Sequence, residues 1–99
     1  MQRRVVVTGL GAVTPVGNDV ATMWRALLAG TSGAATITKF APELFRVRFA
    51  CEVKGFDPLQ YMDRKEAKRA DVYTQYALAG SVQAMTDAGL SEGGYVPEE

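Results

Sequence analysis

Three cations, Lys65, Lys68 and Arg69, recur at i, i+3 and i+4, with Arg64 beside them. A helix over this stretch carries the three on one face. Such a face suits an acidic partner, whose approach it steers electrostatically. It equally suits a solvated helix surface, with Asp63, Glu66 and Asp71 balancing the charge. Other reactive groups are scarce. The chain has no histidine, which removes the commonest general base near neutral pH and the commonest metal ligand. With one cysteine besides, a zinc site would rest on carboxylates, an unusual donor set. No catalytic, cofactor-binding or metal site is read from these residues.

Cys51 lies in Arg48-Phe49-Ala50-Cys51-Glu52-Val53. Small and weakly polar, it reads as a filler on the apolar face of an alternating strand. Gly9-x-Gly11 follows a β-branched run and suggests the opening of a dinucleotide fingerprint. That motif needs a third glycine and an immediate helix, then an acid about 20 residues on. Here the third glycine position holds Thr14, Pro15 follows, and after Asp19 the next acid is Glu43. The glycines instead read as permitting close backbone packing.

The elements that must position these groups follow from pattern. Arg3–Thr8 reads as a buried strand bounded by glycine. Residues 9–17 form a long turn. Asn18 or Asp19 caps a helix running to about Ala29, whose stripe Val20, Met23, Trp24, Leu27 and Leu28 marks one buried face. Gly30 sits where a left-handed cap belongs. Ala34–Arg46 is poorly patterned, with a short extended piece around Ile37. Val47–Val53 alternates as a half-buried or edge strand. Asp57 and Pro58 open a short turn. Asp63 with Glu66 makes a capping-box-like start.

From about Asp71 to Ala88 a long helix carries no charge until Asp87. Gly80 inside it points to another backbone packing close by. Gly89 ends it and Leu90 completes a Schellman motif.

Ninety-nine residues make one domain at most. The apolar share is 47% and the charged share 22%, ordinary for a globular protein. Net charge is zero, so no global field favours nucleic acid or an anionic membrane. A lone cysteine builds no disulfide framework and fits a reducing, cytoplasmic setting. Val5–Val7 is too short for a signal-peptide core, and no run approaches the ~18 apolar residues of a spanning helix. The long helix is apolar nearly all round, and two strands are too few to cover it. Pro97-Glu98-Glu99 reads as a helix start. These signs mark the chain as an N-terminal segment of a larger protein.

Arg4 through Asn18 closely resembles the first strand and loop of the β-ketoacyl-acyl carrier protein synthases. The likeness continues in order through Trp24, Leu27, Leu28, Gly30 and Ser32-Gly33. Val53-Lys54-Gly55-Phe56-Asp57-Pro58, Met62-Asp63-Arg64-Lys65-Glu66 and Asp71 extend it. Gln75-Tyr76, Val82-Gln83-Ala84-Met85, Asp87 and Gly89-Leu90 complete it. It spans about Arg3 to Leu90 and is closest to the bacterial type II elongation branch.

The resemblance implies an α/β chain forming the N-terminal part of a thiolase-like α-β-α-β-α layered fold. Residues 1–99 would be an incomplete N-terminal half of the ketosynthase N-terminal domain, with no second domain. It implies a homodimeric, cytoplasmic acyltransferase of fatty-acid biosynthesis, without a dedicated cofactor, whose substrates arrive on the phosphopantetheine of acyl carrier protein. Its cysteine nucleophile and two histidines fall outside this chain, which alone would be inactive. Family members carry a small residue at the Cys51 position, a mild departure. Lys65, Lys68 and Arg69 match positions that help dock the acidic carrier. A non-catalytic chain-length factor of a polyketide synthase shares the same N-terminal pattern. A third reading is a small module whose basic helix recruits an acidic protein or nucleic acid. Net neutrality argues against nucleic acid, and the uncovered apolar helix argues against autonomy.

Overall fold

Local capping sets the element boundaries. In the computed structural model, which describes residues 2–90, α1 spans Val20–Leu28, β1 Ala34–Thr36 and β2 Phe49–Cys51. A 3-10 turn covers Pro58–Gln60, α2 spans Arg64–Arg69 and α3 spans Val72–Asp87. The chain divides into two units, one of residues 12–57 and one of residues 1–11 with 58–99.

In the first unit, Thr14 and Gly17 close a tight turn with reciprocal backbone hydrogen bonds of 2.8 and 3.2 Å. Asp19 is extended and its carboxylate accepts from the Thr22 N–H at 2.7 Å, so α1 starts at Val20. The Thr22 backbone hydrogen bond, followed by that of its side chain, holds the Asp19 carboxyl below its ordinary 3.8. Gly30, at φ 71°, lets the Gly30 and Thr31 amides reach the Leu27 and Ala26 carbonyls, a Schellman close. The apolar stripe of α1 is present but not buried: Trp24 is 57% exposed, and Leu27 and Leu28 are exposed as well. No second layer among the described residues of this unit covers it.

β1 and β2 pair antiparallel, with Ala34 opposite Cys51 and Thr36 opposite Phe49. The extended piece expected near Ile37 therefore begins earlier, at Ala34. β2 is shorter than the alternation over Val47–Val53 predicts. Cys51 and Phe49 lie exposed, not on a buried face, while Ala50 on the opposite side is half-buried. A two-stranded ribbon has no third strand to bury a chosen face.

The connecting loop is ordered by polar groups. The Glu52 carboxylate accepts from the Thr38 hydroxyl at 2.8 Å and from the Thr38 and Lys39 amides at 3.2 Å. Arg48 donates to the Phe45 and Glu43 carbonyls at 3.1 and 2.9 Å. Phe40 and Phe45 meet edge to face at 5.6 Å.

In the second unit, α3 is the scaffold. Gly89, at φ 75°, and Leu90 close its C-terminus on Thr86 and Met85 as a Schellman motif. Residues 2–13 form no strand, which corrects the reading of Arg3–Thr8 as buried β structure: Val5 is 96% exposed. A β-branched run favours extended backbone, but only a laddered neighbour makes it a strand, and the described residues supply none.

The close backbone approach inferred at Gly80 is real, but the crowding falls on the other partner. A Cβ on Gly11 would collide with the Gly80 carbonyl oxygen, and one on Gly9 with the Ala84 carbonyl oxygen and the Ala88 amide, whereas a Cβ on Gly80 meets open space. Ala79 and Met62 form the buried apolar centre of this unit, at 0% and 7% exposure. The helix start read at Pro97 lies outside the described residues.

Candidate functional site

Asp63 fixes the start of the basic helix. It is extended, at φ −78° and ψ 171°, and its carboxylate accepts from the Glu66 N–H at 2.8 Å. This is the Asp half of the expected capping box. The helix ends where Ala70 returns to extended backbone at ψ 134°. Within these limits Lys65, Lys68 and Arg69 are all exposed, while Ala67 between them is half-buried. The structure thus brings the three predicted cations together on one solvent-facing surface of α2. Lys68 and Arg69 occupy its last turn, where the negative end of the helix dipole favours cations.

A helix of six residues is too short to persist on its own, and its last carbonyls lack backbone donors. α3 supplies one. The Gln75 Nε2 donates to the Ala67 carbonyl at 3.0 Å. Two turns further along, the Gln83 Nε2 donates to the Tyr61 hydroxyl at 3.0 Å. Tyr61 and Met62 are themselves anchored, their amides reaching the Pro58 carbonyl at 3.0 Å. Gln75, Ala79 and Gln83 stand at i, i+4 and i+8, one stripe of α3. The sequence reading gave the two glutamines no part in placing α2. Their signal was there: two amides at core spacing on a helix without charge until Asp87.

The first unit holds a separate concavity of about 500 Å³, lined among others by Pro15, Asn18, Thr31, Ser32 and Lys54. Its ammonium is committed to the backbone: Lys54 donates to the carbonyls of Glu52, Gly33 and Pro15 at 3.0, 3.1 and 3.2 Å. The Asn18 side chain joins the same framework by donating to the Lys54 carbonyl at 2.8 Å. Cys51 sits exposed on β2, opposite Ala34. Among the described residues no group of three His, Cys, Asp or Glu side chains could hold a metal ion. No helix there is long and apolar enough to cross a membrane.

The family model of the β-ketoacyl synthase N-terminal domain matches residues 2–95. The chain belongs to the β-ketoacyl synthase family.

Synthase relatives agree along the same length. The 3-oxoacyl-[acyl-carrier-protein] synthase 2 of Vibrio cholerae is 52% identical over 89 residues, covering 90% of this chain and 22% of that protein. The Coxiella burnetii protein of the same name is 48% identical over the same share. A solved structure, the ishigamide ketosynthase/chain length factor, superposes with a TM-score of 0.84 at 39% identity. The match covers 93% of this chain and 23% of that one. The chain thus spans about a fifth of the length of the synthases it matches, and its fold is the N-terminal part of the thiolase-like α/β architecture. The expectation of a condensing-enzyme relative of the type 2 branch is borne out.

Proposed function

We propose that this chain is the first part of the N-terminal domain of a fatty-acid elongating condensing enzyme, and that α2 docks its acyl carrier protein through Lys65, Lys68 and Arg69. The observation that carries the reading is the 52% identity to a 3-oxoacyl-[acyl-carrier-protein] synthase 2, sustained over 89 residues. The exposed cationic face of α2 supports the docking role.

In the complete homodimeric, cytoplasmic enzyme, a cysteine thiolate attacks the carrier-bound thioester and releases the carrier thiol. Loss of CO2 from malonyl-carrier protein then yields a carbanion equivalent. It attacks the acyl-cysteine and expels the thiolate. The cysteine and assisting histidines belong to the sequence beyond residue 99. The task of the present residues is to bring the pantetheine-bearing carrier to the site.

The charge-reversed variant Lys65→Glu/Lys68→Glu of the complete enzyme tests this. The KM for acyl-carrier protein rises while the KM for the same acyl group on free pantetheine stays put. An unchanged carrier KM at low salt refutes the docking role.

A second reading, a chain-length factor, draws on the 0.84 superposition on the ishigamide ketosynthase/chain length factor. Sequencing beyond residue 99 separates the two, because the chain-length factor lacks the nucleophilic cysteine.

A further inference from the structure

From the stripe Gln75–Ala79–Gln83 we infer that Gln75 and Gln83 are positioning residues for carrier recognition, holding the basic helix α2 in its presenting geometry. The inference rests on the docking role proposed above and names the groups that make it work.

α2 carries four exposed cations on six residues, and Lys65, Lys68 and Arg69 share one face. Left to itself, such a helix frays. Its cations would then sample many arrangements, and the carrier would have to select the rare helical one, which lowers apparent affinity by the helical fraction. Asp63 secures only the N-terminal end. At the other end the chain turns extended at Ala70, one residue after Arg69.

Gln75 closes that end from outside the helix. Its amide meets the Ala67 carbonyl at 3.0 Å, one residue from Lys68. Ala67 faces inward and the cations outward, so the bond holds the helix without using its binding face. Gln83 fixes the segment that leads into α2 by the Tyr61 hydroxyl, also at 3.0 Å. Between the two amides Ala79 is fully buried, and Met62 nearly so. The pattern is two polar ties flanking one buried alanine, on a helix without charge until Asp87. An apolar stripe would bury as much surface but would not fix where α2 ends. Hydrogen bonds have direction and so select one register.

The test is the near-isosteric Gln75→Met in the complete enzyme, alone and combined with Lys65→Glu/Lys68→Glu. Initial rates are measured with acyl-carrier protein and with the same acyl group on free pantetheine. Gln75→Met raises the carrier KM about three- to tenfold, the scale of one lost hydrogen bond. It leaves kcat and the pantetheine KM unchanged, and has a much smaller effect in the charge-reversed background, where two of the three cations it positions are reversed.

Equal loss with both substrates, or an equal effect in both backgrounds, overturns the positioning role. If charge reversal raises the carrier KM but Gln75→Met does not, docking stands and this inference falls. If charge reversal itself has no effect, both fall. Should Gln75→Met fail to fold, Tyr61→Phe, which removes only the hydroxyl that receives Gln83, gives the same readouts.

Discussion

The Leu10 amide donates to the Asp87 carboxylate at 3.0 Å, joining residues 77 positions apart. Leu10 stands between Gly9 and Gly11, the two residues whose missing side chains let the backbone lie against α3. The glycine loop that suggested a dinucleotide fingerprint is therefore a packing strip. The Leu10 amide within it is used to bond a helix.

This geometry gives opposite signs to two glycine substitutions. Gly11→Ala forces a methyl into the Gly80 carbonyl and costs about 1–3 kcal/mol, the usual price of overpacking. Gly80→Ala meets open space and gains about 1 kcal/mol from helix propensity. Thermal denaturation of the two variants reads the difference. Destabilisation by Gly80→Ala would show that another part of the complete protein packs on that face.

Lys54 serves as a three-way tie among the carbonyls of Pro15, Gly33 and Glu52. Lys54→Met strands these acceptors and lowers stability by about 1–2 kcal/mol, at the low end for charged hydrogen bonds because the group is exposed. Lys54→Arg does not restore it, since a planar guanidinium cannot converge on three acceptors as an ammonium does. Urea midpoints of the two variants check both statements.

Glu52 sets an acid limit on the loop between β1 and β2. The Thr38 hydroxyl, then the Thr38 and Lys39 amides, hold its carboxyl below its ordinary 4.5. A depressed folded value means that the stabilisation is fully present above 4.5 and is lost as pH falls through the lower folded value. The Thr38 and Lys39 amide resonances shift together in that acid window. In Glu52→Gln that step is absent.

Salt dependence distinguishes a docking face from a merely solvated one. Raising ionic strength from about 0.01 to 0.15 M shortens the screening length from about 30 to 8 Å. The carrier KM of the complete enzyme rises across this range. The rise is blunted in Lys65→Ala/Lys68→Ala, because rim cations act on association. Parallel salt curves for the two proteins would remove α2 from the encounter.

The sequence by itself determined the helices, their caps and the family. Asp63 with Glu66, Gly30 and Gly89 act within a few residues, so spacing alone reveals them; at α1 spacing left Asn18 and Asp19 open, and the Thr22 amide selects Asp19. The cationic face of α2 was legible for the same reason, since i, i+3 and i+4 is local geometry. Tertiary structure decided what depends on a partner far along the chain. It left Val5–Val7 without a ladder and turned Cys51 and Phe49 outward. It laid Gly9 and Gly11, already read as packing glycines, against the α3 backbone at Ala84 and Gly80. It also joined Gln75 to Ala67 and Gln83 to Tyr61. No local spacing encodes these, because each rests on which distant backbone or side chain arrives to complete a hydrogen bond or to cover a surface.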